Sequence, residues 1–187
     1  FHIVNVVDDY ESTISHVIRG EDHLSNTPKH ILLQRAMGFT TPIYAHLPMI
    51  LAPDKSKLSK RHGATSVTDY RKRGYLPEAI INYLGMLGFT PPGEREIMNL
   101  DELTKVFELA AVHKTGAVFD IKKLDWLNGE YIHALDTKRL ATILTSFLPA
   151  EWGAPDPDYL LKVLPLARER MKRLADVEEF SYFFQEP

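Results

Sequence analysis

The hydrophobic pattern of this 187-residue chain changes along its length from mixed strand and helix to helix alone. Residues 1–7 form an apolar run that predicts a buried strand, and residues 13–18 predict a second, shorter strand. Residues 25–38 begin with helix-capping side chains and a proline and end at a glycine, so they predict a helix. This order of elements is typical of half of an α/β nucleotide-binding domain.

The remainder of the chain passes from an extended segment through a polar loop to helices. Residues 43–51 are apolar and are expected to be extended, and the lysine-rich residues 53–63 predict a surface loop. The change to a purely helical pattern falls between residues 65 and 100. The predicted helices cover residues 77–87, 100–109, 121–135, 137–148 and 158–184, with a break or kink at Pro165 in the last one.

Composition excludes several classes of protein. Apolar residues make up 44% and charged residues 25% of the chain, values typical of a folded globular protein. The formal net charge is −3, so a nucleic-acid partner would have to meet a local basic patch. Cysteine is absent, which excludes disulfides and thiolate metal sites, and no apolar run is long enough to cross a bilayer. The chain opens without a methionine or a signal peptide, inside a predicted strand, and we therefore expect a fragment.

A basic loop carries the strongest chemical signal in the sequence. Residues 57–61 read Lys-Leu-Ser-Lys-Arg, and residues 55–73 hold seven basic side chains against one acid. Two lysines three residues apart on a surface loop can neutralise a triphosphate and stabilise the charge that develops on departing pyrophosphate. The alternative interpretation is a solvated basic loop without a ligand, because short motifs also match by chance.

Arg19 is the second candidate, because it lies at the end of a predicted strand, where a buried guanidinium is costly unless it is paired. One interpretation is an internal salt bridge to the neighbouring Glu21 or Asp22. The other is a bidentate pair with the carboxylate of a ligand, a geometry that lysine cannot copy.

The third candidate segment covers residues 114–132. Asp120 is a good helix cap, and Leu124, Leu127 and Tyr131 fall on one helical face, so this segment reads first as a capped amphipathic helix. The histidines show no metal-binding spacing, and the sequence has no Ser-His-Asp elbow and no glycine-rich phosphate loop.

These segments together resemble one family. Residues 57–61 resemble the second signature of class I aminoacyl-tRNA synthetases, usually Lys-Met-Ser-Lys-Ser, and with the following His-Gly-Ala they resemble its glutamyl-specific form. Residues 5–28 are similar to the stretch after the connective insertion of glutamyl- and glutaminyl-tRNA synthetases. Residues 114–132 resemble the junction between the stem-contact region and the anticodon-binding helices. The likeness to bacterial-type glutamyl-tRNA synthetases is strong over residues 1–132 and is only a general helical pattern beyond them.

This resemblance implies an architecture in three parts. Residues 1–42 would form the second half of a Rossmann-type catalytic domain, residues 43–136 the signature loop and stem-contact region, and residues 137–187 the start of an α-helical anticodon-binding domain. The family's first signature, His-Ile-Gly-His or a near variant, is absent from the sequence. We therefore expect the chain alone to be catalytically incomplete, although its parent protein would be an enzyme.

The resemblance also implies a reaction: ATP-dependent activation of glutamate to glutamyl-adenylate, followed by transfer to the 3′ end of tRNA-Glu. ATP would bring Mg²⁺ as part of the substrate, and neither zinc nor another protein-held metal is expected. The resemblance also implies a cytoplasmic, monomeric protein that does not bind membranes. The implied residues are Lys57 and Lys60 for catalysis, Lys57, Ser59, Lys60 and Arg61 for ATP, Phe1, Asn5 and Arg19 for glutamate, and Lys114, Lys122 and Lys123 for tRNA.

Three alternatives stay open at this point. The chain could be a tRNA-binding module without catalysis. It could belong to the short glutamyl-Q tRNA(Asp) synthetase-like paralogue, which modifies a tRNA base, although residues 119–187 argue against this because that paralogue lacks the anticodon-binding helices. It could also be another class I nucleotidylyl transferase, which the combination of Arg19 with residues 120–132 disfavours.

Overall fold

A computed structural model of the chain describes residues 1–59, 61, 66–153 and 155–183. The strands are β1 (His16–Gly20), β2 (Ile43–Leu47), β3 (Ile50–Leu51) and β4 (Ala117–Val118). The helices are α1 (His2–Glu11), α2 (Thr27–Ala36), α3 (Val67–Lys72), α4 (Pro77–Met86), α5 (Leu100–Val106), α6 (Ile121–Ala134), α7 (Thr137–Leu144) and α8 (Pro157–Arg168). Short 3₁₀ segments cover Glu21–Asn26, Pro92–Glu94, Leu109–Ala111, Thr145–Phe147, Ala150–Trp152 and Leu174–Phe183.

Two pairs of parallel strands organise the first part of the chain. β1 pairs with β2, from His16 opposite Ile43 to Gly20 opposite Leu47, and α2 provides the crossover that parallel pairing requires. β3 pairs with β4, with Ile50 opposite Ala117, so the chain before the basic loop is joined to the chain before α6. The carboxyl ends of β1 and β2 therefore meet at one edge, close to the start of the basic loop.

The prediction of a strand at residues 1–7 is wrong, because the structure has helix α1 there. Val6 is buried, whereas Ile3 and Val4 are exposed, so one side of the run packs inward and the other faces outward. A short continuous apolar run fits a buried strand and a helix equally well, and its periodicity cannot separate them. The second predicted strand is present as β1, three residues later than expected, after Thr13 adopts a left-handed turn conformation.

The helical part contains the larger hydrophobic core. α4, α6, α7, α8 and the last 3₁₀ segment contribute to it, and the fully buried side chains include Ile132, Leu140, Leu144 and Leu164. A smaller core joins α3, α4 and α6 and consists of Tyr70, Tyr75, Tyr83, Leu124 and Leu127. Among the described residues, no helix combines the length and the apolar character needed to span a bilayer.

Capping residues set the helix starts as predicted for α5 and α6. Asn99 and Glu102 form a capping box at the start of α5. Asp120 accepts hydrogen bonds from the backbone N–H groups of Lys122 and Lys123 at the start of α6. Helix α3 was not predicted, although Ser66 caps it by accepting a hydrogen bond from Thr68 N–H.

The helix predicted over residues 158–184 ends earlier than expected, at Arg168, and the break expected as one possibility at Pro165 does not occur, since α8 continues through that residue. Pro165 lies on the exposed side of the helix, so water can reach the Leu161 carbonyl that lacks a helical N–H partner. The buried Val163, Leu164 and Ala167 anchor the opposite face. Packing of the apolar face therefore outweighs the lost hydrogen bond, and the chain leaves the α-helix only at Glu169.

Candidate functional site

Arg19 lies near the carboxyl end of β1, and its hydrogen-bond partners are a hydroxyl, a backbone carbonyl and an imidazole. Its Nη2 donates to Thr27 Oγ1 at 2.9 Å and to the His23 carbonyl at 3.4 Å. Its Nε faces His46 Nε2 at 3.4 Å, and its guanidinium carbon lies 5.2 Å from the centre of the Tyr44 ring. The register places His46 directly opposite Arg19 on β2, which explains why two residues so distant in sequence meet.

The charge of Arg19 is not neutralised by a carboxylate among the described residues. Glu21 Oε1 instead accepts a hydrogen bond from Met49 N–H at 3.0 Å, and Asp22 pairs with Lys57. The internal salt bridge left open by the sequence is therefore not formed, and Arg19 is half-buried rather than buried. A guanidinium whose hydrogen-bond partners include no carboxylate can still receive a carboxylate from a ligand.

A buried histidine near Arg19 responds to the positive charge of the guanidinium. His30 is buried and shares a 2.9 Å hydrogen bond with His2, which joins α2 to α1. Burial lowers the pKa of His30, and the positive charges of Arg19 and His2 lower it further, while Asp9 acts in the opposite direction. The lowered pKa favours the neutral form of His30, so this buried side chain adds no second positive charge beside Arg19.

Phe1 and Asn5, the other two residues implied in glutamate binding, lie at the start of α1, where Phe1 is the N-cap. Phe1 is exposed, and its carbonyl accepts a hydrogen bond from Asn5 N–H at 3.2 Å. Among the described residues, neither side chain makes a hydrogen bond to Arg19 or to its partners Thr27 and His46. The structure thus assembles Arg19 with side chains that the sequence did not single out, and it does not bring Phe1 and Asn5 into that hydrogen-bonded group.

The described part of the basic loop is held against β3. Lys57 forms a bridge with Leu51, and Leu58 N–H donates to the Ile50 carbonyl at 3.0 Å. Lys57 Nζ extends to Asp22 Oδ2 at 2.7 Å, and this ion pair lowers the pKa of the Asp22 carboxyl. The first lysine of the motif is therefore fixed at its backbone and ion-paired at its tip.

A groove of about 660 Å³ lies between the strand ends and this loop. In open α/β sheets, ligands bind in the crevice outside the carboxyl ends of the strands, and this groove occupies that position. Asp22 is the one carboxylate and Lys57 the one ammonium among the described residues that line it. The lining residues are Gly20, Asp22, Leu47, Pro48, Met49, Ile50, Lys57, Leu58 and Ser59.

The remaining residues implied in ATP binding differ in their position relative to the groove. Ser59 lines the groove, whereas Arg61 is exposed and its Nη2 lies 3.5 Å from Ser56 Oγ. Lys60, the second catalytic lysine expected, lies outside the described residues. In the part of the chain that the structure covers, no group of three or more His, Asp or Glu side chains could hold a metal ion.

The three lysines implied in tRNA binding lie before and at the start of α6. Lys114 and Lys122 are exposed, but Lys123 Nζ is paired with Glu96 at 2.7 Å, which offsets its charge. The structure instead reveals a groove of about 610 Å³ between α3 and α7, which sequence reasoning missed. Arg71 and Lys72 line it, and no described lining residue is acidic. The three consecutive basic residues 71–73 were the available signal.

The family model for class I tRNA synthetases (E and Q), catalytic domain, matches residues 1–126. Glutamate–tRNA ligase of Moorella thermoacetica is 49% identical over 98% of this chain. Glutamate–tRNA ligase 2 of Thermoanaerobacter pseudethanolicus is 48% identical over 100% of it. The chain spans 39% and 40% of the length of these two relatives.

Solved structures show the same relationship at the level of the fold. A glutamate–tRNA ligase from Elizabethkingia meningosepticum, crystallised in complex with its amino acid, matches with a TM-score of 0.87 and 37% identity. The match covers 100% of this chain and 41% of that one. The mixed strand and helix content of residues 1–126 is thus that of a class I synthetase catalytic domain. The chain belongs to the class I tRNA synthetase family for glutamate and glutamine.

Proposed function

We propose that this chain is the part of a glutamate–tRNA ligase that binds the side-chain carboxylate of glutamate and the triphosphate of ATP. The observation that carries this proposal is Arg19, a guanidinium held by Thr27 and His46 without a carboxylate partner among the described residues. Asp22, three residues further on, pairs with Lys57 of the signature loop, so both candidate anion sites lie at the same strand ends. The enzyme as a whole, its substrates and its partners are part of the proposal, because the chain spans 39% of a typical relative.

The proposed reaction has two steps. The α-carboxylate of glutamate attacks the α-phosphorus of ATP, forming glutamyl-adenylate and releasing pyrophosphate. A hydroxyl of the terminal adenosine of tRNA-Glu then attacks the adenylate carbonyl and releases AMP. Lys57 and Lys60 neutralise the charge that moves onto pyrophosphate, as positioned cations do in phosphoryl-group chemistry. Mg²⁺ enters with ATP as part of the substrate.

Selection of glutamate would depend on the orientation of Arg19. Its partners Thr27 and His46 fix the guanidinium before the substrate arrives, so little side-chain freedom is lost on binding. Nη1 donates no hydrogen bond among the described residues, and the γ-carboxylate would be received by Nη1 together with Nη2, which would release its 3.4 Å contact with the His23 carbonyl. Phe1 and Asn5 are proposed as further walls of the pocket, with Phe1 offering ring contact and no hydroxyl donor.

The proposed domain division keeps three parts: residues 1–42 as half of a Rossmann-type domain, 43–136 as signature loop and stem-contact region, and 137–187 as the start of the anticodon-binding helices. Exposed apolar side chains on the paired strands β1, in the first part, and β2, at the start of the second, favour a further segment that covers this sheet. Ile18 on β1 and Ile43 on β2 are 49% and 63% exposed, although parallel sheets are normally covered on both faces. We propose that the rest of the catalytic domain covers them and supplies the first signature, so that the chain alone is incomplete.

For tRNA, we propose that the groove between α3 and α7 contacts the phosphate backbone. Arg71, Lys72 and Arg73 are exposed and have no ion-pair partner among the described residues, in contrast to the paired Lys123. Such contacts position RNA without reading its sequence. Lys114 and Lys122 remain candidates for further phosphate contacts, and the enzyme is proposed to act as a cytoplasmic monomer.

The test uses the full-length protein that carries this chain. Arg19→Lys should raise the KM for glutamate in tRNA-dependent ATP–pyrophosphate exchange, because the bidentate pair is lost while the charge remains. Loss of about 2–3 kcal/mol of binding corresponds to a roughly 30- to 140-fold rise in KM. The KM for ATP should stay within about twofold, and Arg170→Lys, an exchange of an exposed arginine, should change neither constant.

A KM for glutamate that stays at the wild-type value in Arg19→Lys would refute the assignment of this residue. Exchange that does not depend on glutamate in the wild-type protein would refute the proposed function itself. A chain that binds tRNA but supports no exchange in its full-length context would favour the alternative of a non-catalytic tRNA-binding module.

A further inference from the structure

One ion pair crosses the groove at the strand ends. Lys57 Nζ lies 2.7 Å from Asp22 Oδ2, and the two side chains are 58% and 38% exposed. The groove contains no other acidic or ammonium side chain among its described lining residues. The lysine proposed to neutralise the triphosphate of ATP is therefore already bound to an anion of the protein.

The backbone holds the carboxylate end of this pair in place. Glu21, adjacent to Asp22, accepts a hydrogen bond from Met49 N–H at 3.0 Å, which ties the segment after β1 to the chain after β2. Gly20 allows Asp22 to fold back over the strand, since a Cβ at position 20 would lie 2.6 Å from Asp22 Oδ1. Asp22 is thus directed toward Lys57 by its two preceding residues.

The backbone also holds the residue at the ammonium end of this ion pair in place. Lys57 bridges to Leu51, and Leu58 N–H donates to the Ile50 carbonyl, so the backbone at Lys57 is continuous with β3. Only the side chain of Lys57 needs to move for its ammonium to leave Asp22. An exposed ion pair of this kind contributes little to stability and exchanges partners easily.

We infer that Asp22 is a positioning residue for Lys57: its carboxylate holds the ammonium over the groove until ATP arrives, and the triphosphate then takes its place. This inference rests on the proposed function and adds a residue to it. The triphosphate carries more negative charge than one carboxylate, so the Lys57 ammonium pairs with the triphosphate in preference to Asp22. Asp22 sets the position of the Lys57 ammonium before ATP binds, and its negative charge also repels the incoming phosphates.

Removal of the Asp22 charge should therefore have opposite effects on the two kinetic constants. Asp22→Asn removes a competitor for Lys57 and a repulsive charge, so ATP should bind more tightly, with a KM lower by about 3-fold. The same change releases Lys57 from its position, so kcat should fall by roughly 10-fold because the ammonium must be oriented during the reaction. A variant that merely loosens the fold would not lower KM for ATP.

The experiment compares variants of the full-length protein in glutamate-dependent, tRNA-dependent ATP–pyrophosphate exchange. Asp22→Glu should restore both constants to within about 2-fold, because it returns the carboxylate. Asp158→Asn removes the same charge from an exposed position in the first turn of α8 and should leave both constants unchanged. In a Lys57→Met background, Asp22→Asn should no longer lower kcat, because the residue through which it acts is missing.

Three results would overturn the inference: an Asp22→Asn variant that behaves like Asp158→Asn, a failure of Asp22→Glu to rescue, or an equal fall of kcat in the Lys57→Met background. Each can occur while the wild-type protein still shows glutamate-dependent exchange, and in that case the proposed function stands. Wild-type protein without glutamate-dependent exchange would instead refute the proposed function on which the inference rests.

Discussion

Replacement of Asn128 with alanine should remove a large part of the stability of this fold. Asn128 lies fully buried in α6 and connects three segments that are distant in sequence. Its Oδ1 accepts from Leu76 N–H at 2.8 Å, and its Nδ2 donates to the Lys172 carbonyl at 2.6 Å. A third, longer contact of 3.5 Å reaches the Gly74 carbonyl. One side chain therefore provides hydrogen-bond partners to backbone groups at the start of α4 and in the turn after α8.

The expected magnitude follows from the groups left behind. Alanine would leave the buried Leu76 N–H and the partly buried Lys172 carbonyl without their partner. Each stranded group costs about 1–3 kcal/mol, with the carbonyl nearer the lower end. The sum, about 2–5 kcal/mol after partial relaxation, compares with a total of about 5–15 kcal/mol for a typical domain. The loss should thus be a substantial fraction of the free energy of unfolding.

Urea denaturation followed by circular dichroism measures this loss as a shift of the transition midpoint at constant slope. Asn26→Ala is the matched control, because Asn26 makes no capping hydrogen bond and its side chain has only a 3.4 Å contact with His23. The control should change the free energy of unfolding by less than about 0.5 kcal/mol. A loss below about 1 kcal/mol for Asn128→Ala would refute the argument that Asn128 joins these segments.

Two further predictions address the backbone and the histidine pair. Gly74→Ala should destabilise the fold by about 2–5 kcal/mol, because a Cβ must sit at positive φ and overlap the backbone of Leu174 and Ala175. That φ is 83°, and the Cβ would lie 2.6 Å from both amide nitrogens, so an unchanged thermal midpoint would contradict the structure. The lowered pKa of His30 implies that the unfolded chain takes up a proton at higher pH than the folded chain, so stability should fall as pH drops below about 6.5. Arg19, His2, His23 and Asp9 act on this group, and urea midpoints at pH 7.5 and 5.5 should differ less in His30→Gln than in the wild type.

The sequence predicted those elements whose signals are local. Asn99 and Asp120 mark the starts of α5 and α6 because a capping side chain bonds to backbone groups two or three residues away. The extended segment after residue 43 was predicted from its apolar run, and the helix after Pro77 from the proline and the apolar spacing that follows it, which are also local signals. Failure occurred where packing decided the outcome: at residues 1–7, where the contact with α2 favours a helix, and at Pro165, where the buried face of α8 keeps the helix intact.

The candidate site was likewise predictable only where the signal is local in sequence. The position of Arg19 near the end of β1 followed from the apolar pattern, but its partners His46 and Thr27 depend on strand register and on how α2 packs. The partner of Asp22 was also beyond sequence reasoning, which offered Arg19 as the nearest cation, whereas the structure supplies Lys57 from 35 residues away. Pairings across such distances need the three-dimensional arrangement of β1, β2 and β3.

The pairing of β3 with β4 limits how this protein can be recombined with its relatives. Ile50 and Leu51 pair with Ala117 and Val118, and Phe119 N–H adds a hydrogen bond to the Leu51 carbonyl at 2.8 Å. A chimaera whose junction falls within residues 112–116 would take β4 from the donor, so that the loop with Lys57 is supported by a foreign strand. Junctions should therefore be placed after residue 120, so that a donor helical region arrives without replacing β4.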